Sequence, residues 1–395
     1  FGSKNMKNNH ETIIVGGGAA GMYCAIKLQE ANRPYTLITD RMGGRIMDRK
    51  DLNTNFGAVF FFGTYTHMKK ILKDDGKVIP SLTAACCHPD EKTQFSALST
   101  RTLSHGYQLL KFFLFMRGKF IPKYTKFKKD CENMQVKDAL KKNPFMEELF
   151  YMTADQFIKK TGIQGIADDL VSLFAHGCTG SKINTLSALD YLNCVQGLVS
   201  ELKIFRFDED AMTARLNSGT GNVQLDSVTS VRKNSDGTYA VDTASGKTYD
   251  AKNVVLAAPA DVTVKIVSPV VKLPKIRNAS VLYAYLIRGE MKERYRKHIV
   301  HIFGDTIPII FTRKRSDGQY EVFTEKEIDM GKYFDSYEIV EKVFWPKALF
   351  TNPNIVLDQD LAPNLWMAGD HNGLGMEPAA VSGIYAANQI LKSAK

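Results

Sequence analysis

A glycine-rich turn near the start of the chain constrains its fold more than any other feature. Ile13–Val15 predict a short buried strand, and residues 22–30 have the composition and apolar spacing of a helix. Between them Gly16, Gly18 and Gly21 form Gly-x-Gly-x-x-Gly, the order of strand, turn and helix in which this motif binds a dinucleotide. Gly16 permits the tight turn, Gly18 lets a pyrophosphate approach the backbone, and Gly21 lets the helix pack on the strand. On its own, the motif also fits an ordinary turn between a strand and a helix.

A carboxylate follows at the position where this fold uses one. Residues 34–40 predict a second strand that ends at Asp40. The acidic residue that takes the ribose hydroxyls of the adenosine usually lies about 20 residues after the glycine turn, and Asp40 suits that interval. The alternative is an exposed turn aspartate without a ligand.

A second glycine turn indicates which dinucleotide is bound. Arg41, Gly43, Gly44 and Arg45 follow Asp40 directly. A further phosphate-binding turn at this distance suits an extended FAD better than a nicotinamide cofactor, and Arg45 would lie near the pyrophosphate. A simple β-turn is the alternative for the two glycines.

These turns resemble the first signatures of the flavin-containing amine oxidase superfamily, which includes protoporphyrinogen oxidases, carotenoid desaturases and a fatty-acid double-bond isomerase. The resemblance extends from residues 13–45 to a C-terminal signature at 363–370 and 375–387. In such proteins the aspartate of Ala-Gly-Asp, here Asp370, meets the ribityl and phosphate region. The helix that follows points its N-terminus at the flavin ring, which gains negative charge on reduction.

The resemblance implies an α/β fold with two domains. One is a Rossmann-like, glutathione-reductase-type FAD domain assembled from discontinuous segments, and the other is an α+β substrate-binding domain. The predicted segments are 6–75, 203–263 and 341–395 for the FAD domain, and 76–202 and 264–340 for the substrate domain. FAD would be held without a covalent bond, because no cysteine follows Cys194 to anchor the flavin at the C-terminal signature.

Between the signatures the patterns alternate between helix and strand. Residues 66–202 are predicted to be mainly helical, and residues 216–221 replace the longer helix that usually precedes the strand containing Val223 in the family. The strands predicted after them are 223–232, 239–243, 253–259, 280–287 and 306–311. The first three would form a meander, and the last two would face the substrate.

The site residues implied by these patterns fall into two groups. The residues predicted to bind the cofactor are Gly16, Gly18, Ala19, Ala20, Gly21, Asp40, Arg41, Gly43, Gly44, Arg45, Gly57, Ala58, Val223, Ala258, Gly369, Asp370, Met376, Glu377 and Ala379. The residues predicted to face the substrate are Trp345 and His176. A packing tryptophan at a domain seam and a buried, hydrogen-bonded histidine are the alternatives for these two.

The family implies an FAD-dependent oxidoreductase, a nucleotide-binding flavoprotein in which a small-molecule substrate gives a hydride to flavin N5. Oxidation of an amine or amino-acid-like substrate with O2 as acceptor is the first interpretation, because it is the commonest chemistry in the superfamily. Two departures weaken it: residues 280–287 contain no lysine, and the residue before Met376 is Gly375 rather than an aromatic. Desaturation or double-bond isomerisation of an apolar, lipid-like substrate is the alternative. A non-catalytic flavoprotein module is a second alternative.

The composition limits the classes of partner and the compartment that the sequence predicts. The net charge is +10, yet no zinc-finger, basic-zipper or RNA-binding signature is present, so no nucleic-acid partner is predicted. The six cysteines are scattered without Cys-x-x-Cys, which predicts reduced thiols in the cytoplasm and no metal site. No signal-peptide or membrane-spanning run is evident. The oligomeric state is not encoded in any of these patterns.

One segment interleaves aromatic residues with lysines, over 107–129. A helix with one core face and one solvated basic face is the commoner structure for such a pattern. The alternative is contact with an anionic membrane surface, and so association of a cytoplasmic protein with a membrane.

Overall fold

The computed structural model describes residues 9–78, 85–352 and 354–393, so the first three residues of the predicted segment 6–75 lie outside the described part. The strands are β1 (Asn9–Val15), β2 (Tyr35–Thr39), β3 (Asp48–Arg49), β4 (Thr54–Asn55), β5 (Phe60–Phe62), β6 (Lys73–Val78), β7 (Ala85–His88), β8 (Phe95–Ser96), β9 (Leu202–Arg206), β10 (Gly221–Leu225), β11 (Val228–Lys233), β12 (Tyr239–Thr243), β13 (Thr248–Leu256), β14 (Asn278–Ala279), β15 (Leu282–Met291), β16 (Val300–Phe303), β17 (Ile309–Lys314), β18 (Tyr320–Thr324), β19 (Phe334–Trp345), β20 (Phe350–Asn352), β21 (Asp360–Ala362) and β22 (Leu365–Met367).

Most α-helices lie between β8 and β9. They are α1 (Ala19–Glu30), α2 (Thr100–Ser104), α3 (Gly106–Phe115), α4 (Ile121–Cys131), α5 (Val136–Lys142), α6 (Pro144–Tyr151), α7 (Ala154–Thr161), α8 (Gln164–Ile166), α9 (Ser172–Thr179), α10 (Ala188–Cys194), α11 (Glu209–Leu216), α12 (Ala260–Val267) and α13 (Met376–Ser393). Short π-helical turns, Met116–Phe120 and Ala167–Val171, join α3 to α4 and α8 to α9.

The first sheet brings distant parts of the chain together. Its order is β10-β2-β1-β13-β12-β11, and β22 with β21 joins at β13. Strands β10, β2, β1, β13 and β22 run parallel, so the carboxyl ends of β1, β2, β13 and β22 meet at one edge. Ile13–Val15 and Val254–Leu256 are buried because a parallel sheet is covered on both faces, which explains their uninterrupted apolar runs.

The strand predicted over 223–232 is wrong as a single element. It is two strands, β10 and β11, at opposite edges of the first sheet. The backbone turns between them at Asp226, whose N–H donates to the carbonyl oxygen of Thr39. The apolar residues change phase here, from Val223 and Leu225 to Val228, and this change is the sequence signal of the turn. Before β10 the structure has an eight-residue helix, α11, which is capped by the Asp208 carboxylate and ends at Leu216, and residues 217–220 then form a turn.

The second sheet has the order β19-β15-β18-β17-β16-β7-β8, and α9 packs against its strands β16 and β17. The mainly helical prediction for 66–202 is wrong for β6, β7 and β8. Strand β7 forms because it pairs in parallel with β16, more than two hundred residues later, which local patterns do not show. Strand β19 continues this sheet to Trp345, past the predicted domain boundary at residue 340.

The C-terminal helix packs directly on the first helix. A methyl group added at Gly383 of α13 would lie 2.0 Å from the carbonyl oxygen of Ala20 in α1, so only glycine permits this approach. The crossing fixes both helix N-termini, Ala19 and Met376, beside the same cavity.

Candidate functional site

A cavity of about 650 Å³ lies at the carboxyl ends of β1, β2, β13 and β22 and extends to the second sheet. This is the edge at which open α/β sheets bind ligands, and the volume is typical of a cofactor site. The predicted cofactor residues that line it are Gly16, Gly18, Ala19, Ala20, Asp40, Arg41, Gly43, Gly44, Arg45, Gly57, Ala58, Ala258, Gly369, Asp370, Met376 and Ala379.

The first glycine turn leaves the start of α1 open to this cavity. Gly16 has φ of +104°, and a methyl group there would lie 2.8 Å from the carbonyl oxygen of Ala257. Gly18 is the N-cap, and a methyl group there would have no atom within 4 Å. The helix has no side-chain cap and no acidic residue in its first turn, so its N-terminus is suited to an anionic ligand.

The second glycine turn packs against the first. The N–H of Gly43 donates to the carbonyl oxygen of Gly17 at 2.8 Å. Gly43 and Gly44 have φ of +93° and +59°, and a methyl group on Gly44 would lie 3.0 Å from the Cα of Gly18. The two turns therefore present their backbones side by side, as one extended cradle for a pyrophosphate.

Arg45 connects this cradle to the C-terminal signature. Its guanidinium donates to the Asp370 carboxylate and to the carbonyl oxygen of Ala348, both at 2.6 Å. The Asp370 side chain is 5% exposed, whereas that of Arg45 is 30% exposed and keeps a face on the cavity. A cation held in this way favours a phosphate at the cavity without moving to meet it.

Asp40 lies at the far end of the same cradle. It is exposed at the cavity rim, directly after β2. Across residues 9–78, 85–352 and 354–393, no side chain or backbone group bonds to its carboxylate. The carboxylate is free to accept hydrogen bonds from ribose hydroxyls.

Three predicted cofactor residues lie outside the cavity lining. Gly21 packs instead, since a methyl group there would lie 1.8 Å from the carbonyl oxygen of Gly16. The N–H of Val223 donates to the Asn217 side chain at 2.9 Å, and the lining beside Asp40 is formed by residues 226–228. The residues that line the cavity beside Asp40 are therefore 226–228 rather than Val223, because the chain turns between β10 and β11.

Glu377, the third of these residues, faces away from the cavity. Its carboxylate accepts the backbone N–H groups of Thr66, His67 and Met68 at 2.6–2.9 Å, and lies 4.0 Å from the Lys128 ammonium. Although burial opposes its ionisation, the Lys128 charge and these donors hold the pKa of Glu377 below its usual range. Glu377 ties α13 to the segment that follows β5.

The cavity wall opposite the glycine turns is formed by the second sheet, α9, α10, β5 and the segment after β5. We call it the second-sheet wall. Its lining residues are Phe60, Phe62, Tyr65, Gly177, Cys178, Asn193, Cys194, Leu282, Ile310, Phe311, Phe323 and Trp345. None of these residues carries a charge, whereas Asp40, Arg41, Arg45, Asp226 and Asp370 all line the nucleotide side.

Trp345 lines this wall at the end of β19. Its indole N–H donates to the carbonyl oxygen of Phe56 at 2.7 Å. Trp345 therefore lines the cavity and also joins the second sheet to the segment containing Gly57, while its role toward a substrate stays a prediction.

Tyr65 is a wall residue that the sequence analysis missed. It is buried, its ring packs edge-to-face on Phe62 with centroids 5.5 Å apart, and a methyl group on Gly375 would lie 3.8 Å from its hydroxyl. Burial and the charge of Glu377 raise the pKa of Tyr65, so the hydroxyl stays protonated and can donate a hydrogen bond. Nothing in the local sequence marks this tyrosine, because the backbone that follows it, residues 66–68, is held by the distant Glu377.

His176, predicted to face the substrate, does not line the cavity. It is fully buried, and its Nδ1 lies 3.0 Å from the carbonyl oxygen of Ser181. Its neighbours Gly177 and Cys178 line the second-sheet wall instead. Burial lowers the pKa of His176, so it is a neutral core residue, the alternative given above.

We expect His176→Ala to destabilise the protein without impairing its chemistry. The loss of a buried ring and its hydrogen bond should lower the free energy of unfolding by about 2–4 kcal/mol. The kcat/KM of the folded fraction should remain within about threefold of the wild type, since a core residue touches no reacting group. Urea unfolding and steady-state kinetics would measure the two effects. A variant that is stable but inactive would show that His176 takes part in the reaction.

A cluster of cysteine and histidine lies outside the cavity lining. Atoms of Cys86, His88 and His301 that could hold a metal lie within 4.8 Å of one another. His301 Nε2 is 2.9 Å from the carbonyl oxygen of Tyr295, and its Nδ1 is 2.9 Å from His88 Nε2. Burial lowers the pKa of His88 to about 3 and that of His301 to about 4. A neutral, hydrogen-bonded histidine pair accounts for the cluster, which no local pattern predicted because β7 and β16 are distant in sequence.

The donors around the cavity match the parts of FAD in order. A free carboxylate at Asp40 suits the ribose, the uncapped start of α1 and Arg45 suit the pyrophosphate, and the start of α13 suits the electron-rich edge of the flavin. The open space at Gly18 leaves room for the pyrophosphate to reach the backbone.

Comparison with known proteins agrees with this assignment. The family described as flavin-containing amine oxidoreductase matches residues 19–285, well over half of the 395 residues. The fold is similar to that of a putrescine oxidase bound to putrescine, with a TM-score of 0.66 and 14% identity over 97% of this chain and 99% of that one. It is equally similar to a CLA-producing fatty acid isomerase from P. acnes, with a TM-score of 0.66 and 14% identity over 99% of each chain.

These matches confirm the predicted family, fold class and cofactor. No curated protein matches the chain significantly by sequence. Across the described residues, no helix combines the length and apolar character that crossing a membrane requires.

Proposed function

Because this chain belongs to the family of flavin-containing amine oxidoreductases, and is thus an FAD-dependent oxidoreductase, we propose that it acts on the carbon chain of an apolar, lipid-like substrate. The reaction class is desaturation or double-bond isomerisation, which begins with removal of a hydride from carbon. FAD, when bound, supplies the two-electron acceptor for that hydride.

This proposal rests on the absence of charged side chains from the lining of the second-sheet wall. An ammonium group against Leu282, Phe311 or Phe323 would lose its hydration without a carboxylate to replace it. The amide of Asn193 is also occupied, because it donates to the carbonyl oxygen of Leu374 and accepts from Gln196. A hydrocarbon chain loses nothing on such a surface and gains about 25 cal/mol for each Å² removed from water.

The chain's own residues would position such a substrate and exclude water. Phe311, Phe323 and Trp345 supply rigid apolar surface, and the hydrogen bond to Phe56 holds the indole in place. The neutral Tyr65 hydroxyl is the polar group on this wall that remains available to a substrate oxygen. We propose that it orients the substrate at the wall.

Amine oxidation is the second candidate, and family membership favours it. A neutral amine could lie between the aromatic rings of Tyr65, Phe311, Phe323 and Trp345. The strand β15 provides no lysine, and Gly375 supplies no ring. These departures rank this candidate behind the apolar substrate.

A matched substrate series would separate the two candidates. The FAD-loaded protein is mixed anaerobically with an unsaturated fatty acid, the corresponding fatty alcohol and the corresponding fatty amine, and separately with short diamines. Conversion of the carbon chain whatever the head group, followed as diene absorbance, supports our proposal. Flavin bleaching by amines alone, with peroxide released on admission of air, would assign the protein to amine oxidation and contradict it.

We expect Tyr65→Phe to lower kcat/KM by about fivefold to tenfold, since one hydrogen bond is worth about 1 kcal/mol. FAD content and thermal unfolding should not change, because the ring and its packing remain. Tyr151→Phe is the matched control, since Tyr151 is 63% exposed and lies outside the cavity lining. Wild-type kinetics in the Tyr65→Phe variant would show that the hydroxyl does not orient the substrate.

A further inference from the structure

The segment formed by α2 and α3 exposes an unusual amount of apolar surface. Its exposed side chains are Leu98, Leu103, Tyr107, Leu110, Phe113 and Leu114. Tyr107 is 78% exposed, Leu110 56% and Leu114 59%. These three residues are spaced three and four apart on α3, so they form one stripe along the helix, which we call the α3 stripe.

Cations follow the stripe along α3, the π-helical turn and α4. Residues 107–129 contain seven lysines and arginines and no acidic residue. Six of the cations are exposed, namely Lys111, Arg117, Lys119, Lys123, Lys126 and Lys129. Throughout the described ranges, none of these six is within ion-pair distance of a carboxylate.

The opposite face of the same helices anchors them in the core. Phe112, Met116, Phe120 and Tyr124 are buried, and Phe120 stacks on Tyr124 with centroids 5.2 Å apart. The predicted core face is therefore present, but the solvent face is apolar as well as basic. A solvated basic face does not account for three large apolar side chains exposed in a row.

Aromatic rings hold several of the cations beside the apolar surface. Arg117 lies over the ring of Phe113, 5.4 Å from its centroid. Lys119 and Lys123 lie 4.6 and 4.8 Å from the centroid of Phe145. Lys111 is next to Leu110 on α3. The result is an apolar stripe followed along the same run of helix by cations, several of which are held over aromatic rings.

We propose that the α3 stripe docks on the surface of an anionic lipid membrane. An interfacial helix buries its apolar face at the boundary of head groups and acyl chains while its cations meet the anionic head groups. A second copy of the chain would bring the same six cations against one another, so charge complementarity favours the lipid surface. The proposal is independent of the substrate, because none of these residues lines the cavity.

Vesicle sedimentation with the FAD-loaded protein tests this proposal. We expect binding to vesicles of phosphatidylserine and phosphatidylcholine, release by high salt, and little binding to pure phosphatidylcholine. Leu110→Ser with Leu114→Ser should weaken the binding at least about tenfold, from the lost apolar burial. Lys111→Gln should weaken it about fivefold and reduce its salt dependence.

The matched control is Tyr337→Ser with Ile339→Ser. These two side chains are each 44% exposed on β19, away from the stripe, so the control should bind as the wild type does. Thermal unfolding and FAD content establish that every variant is folded. Absence of binding to anionic vesicles, or binding that the Leu110 and Leu114 changes do not affect, would overturn the proposal. A dimer in solution that the same changes abolish would assign the stripe to a second copy and overturn it equally.

Discussion

Gly18→Ala is expected to weaken FAD binding at least about tenfold, or about 1.4 kcal/mol, while leaving the apoprotein as stable as the wild type. The added methyl group meets no atom within 4 Å, and the φ of −75° at Gly18 is normal for alanine. The fold therefore accepts the substitution. The methyl group projects into the cavity at the start of α1, where the pyrophosphate must approach the backbone.

Fluorescence titration of the apoprotein with FAD measures the affinity, and urea unfolding of the apoprotein measures the stability. Gly106→Ala is the matched control, because a methyl group there also meets no atom within 4 Å and Gly106 lies outside the cavity lining. Unchanged FAD affinity in Gly18→Ala would show that the cofactor does not use this turn. A large loss of apoprotein stability would contradict the expectation that a methyl group at Gly18 meets no other atom.

Glu377→Ala is expected to lower the free energy of unfolding by about 3–5 kcal/mol, the largest effect on stability predicted for this chain. The substitution leaves the buried Lys128 ammonium without a counter-charge and removes the acceptor for the backbone N–H groups of Thr66, His67 and Met68. These residues follow Tyr65, so the second-sheet wall should loosen as well.

The effect should depend on pH with a defined sign. The folded-state pKa of Glu377 lies below its value in the unfolded chain, so its contribution is complete above the unfolded pKa of about 4.3 and is lost as the pH falls through the folded pKa. Urea unfolding curves of wild type and Glu377→Ala should converge in acid.

The matched control for Glu377→Ala is Glu338→Ala. Glu338 pairs with Arg288 at 2.8 Å, but its side chain is 64% exposed, so the loss should not exceed about 1 kcal/mol. Equal losses in the two variants at neutral pH would contradict the assignment of Glu377 as a buried tie between α13 and the segment after β5.

The sequence alone determined the cofactor and the family. The glycine turns at Gly16 and Gly43 are required by the backbone geometry of a phosphate cradle, whereas Asp370 was implied by the resemblance to the family's C-terminal signature. Such requirements act within a few residues, so the pattern of neighbouring residues records them. The buried strands Ile13–Val15 and Val254–Leu256 were evident for the same reason, because burial on both faces leaves an uninterrupted apolar run.

Patterns failed where a residue's role depends on a distant partner. The resemblance placed Val223 at the cofactor, but the chain turns at Asp226, so residues 226–228 line the cavity instead. Glu377 was assigned there by its place in the C-terminal signature, but Lys128 and the backbone of 66–68 hold it elsewhere. His176 was predicted to face the substrate, but it is buried in the core while Gly177 and Cys178 line the cavity, because the orientation of a helix decides which side chain faces a cavity.

The character of the proposed substrate site was decided by tertiary structure alone. Its wall joins Tyr65, Cys178, Phe311 and Trp345, which come from four parts of the chain and meet only when the second sheet closes over the first. The exposure of the α3 stripe was likewise undetermined, since amphipathic spacing does not say whether an apolar face is covered. A local backbone requirement determines the residue types at neighbouring positions, so the sequence shows it. The chemistry of a surface depends on which distant residues pack beside it, so only the tertiary structure shows it.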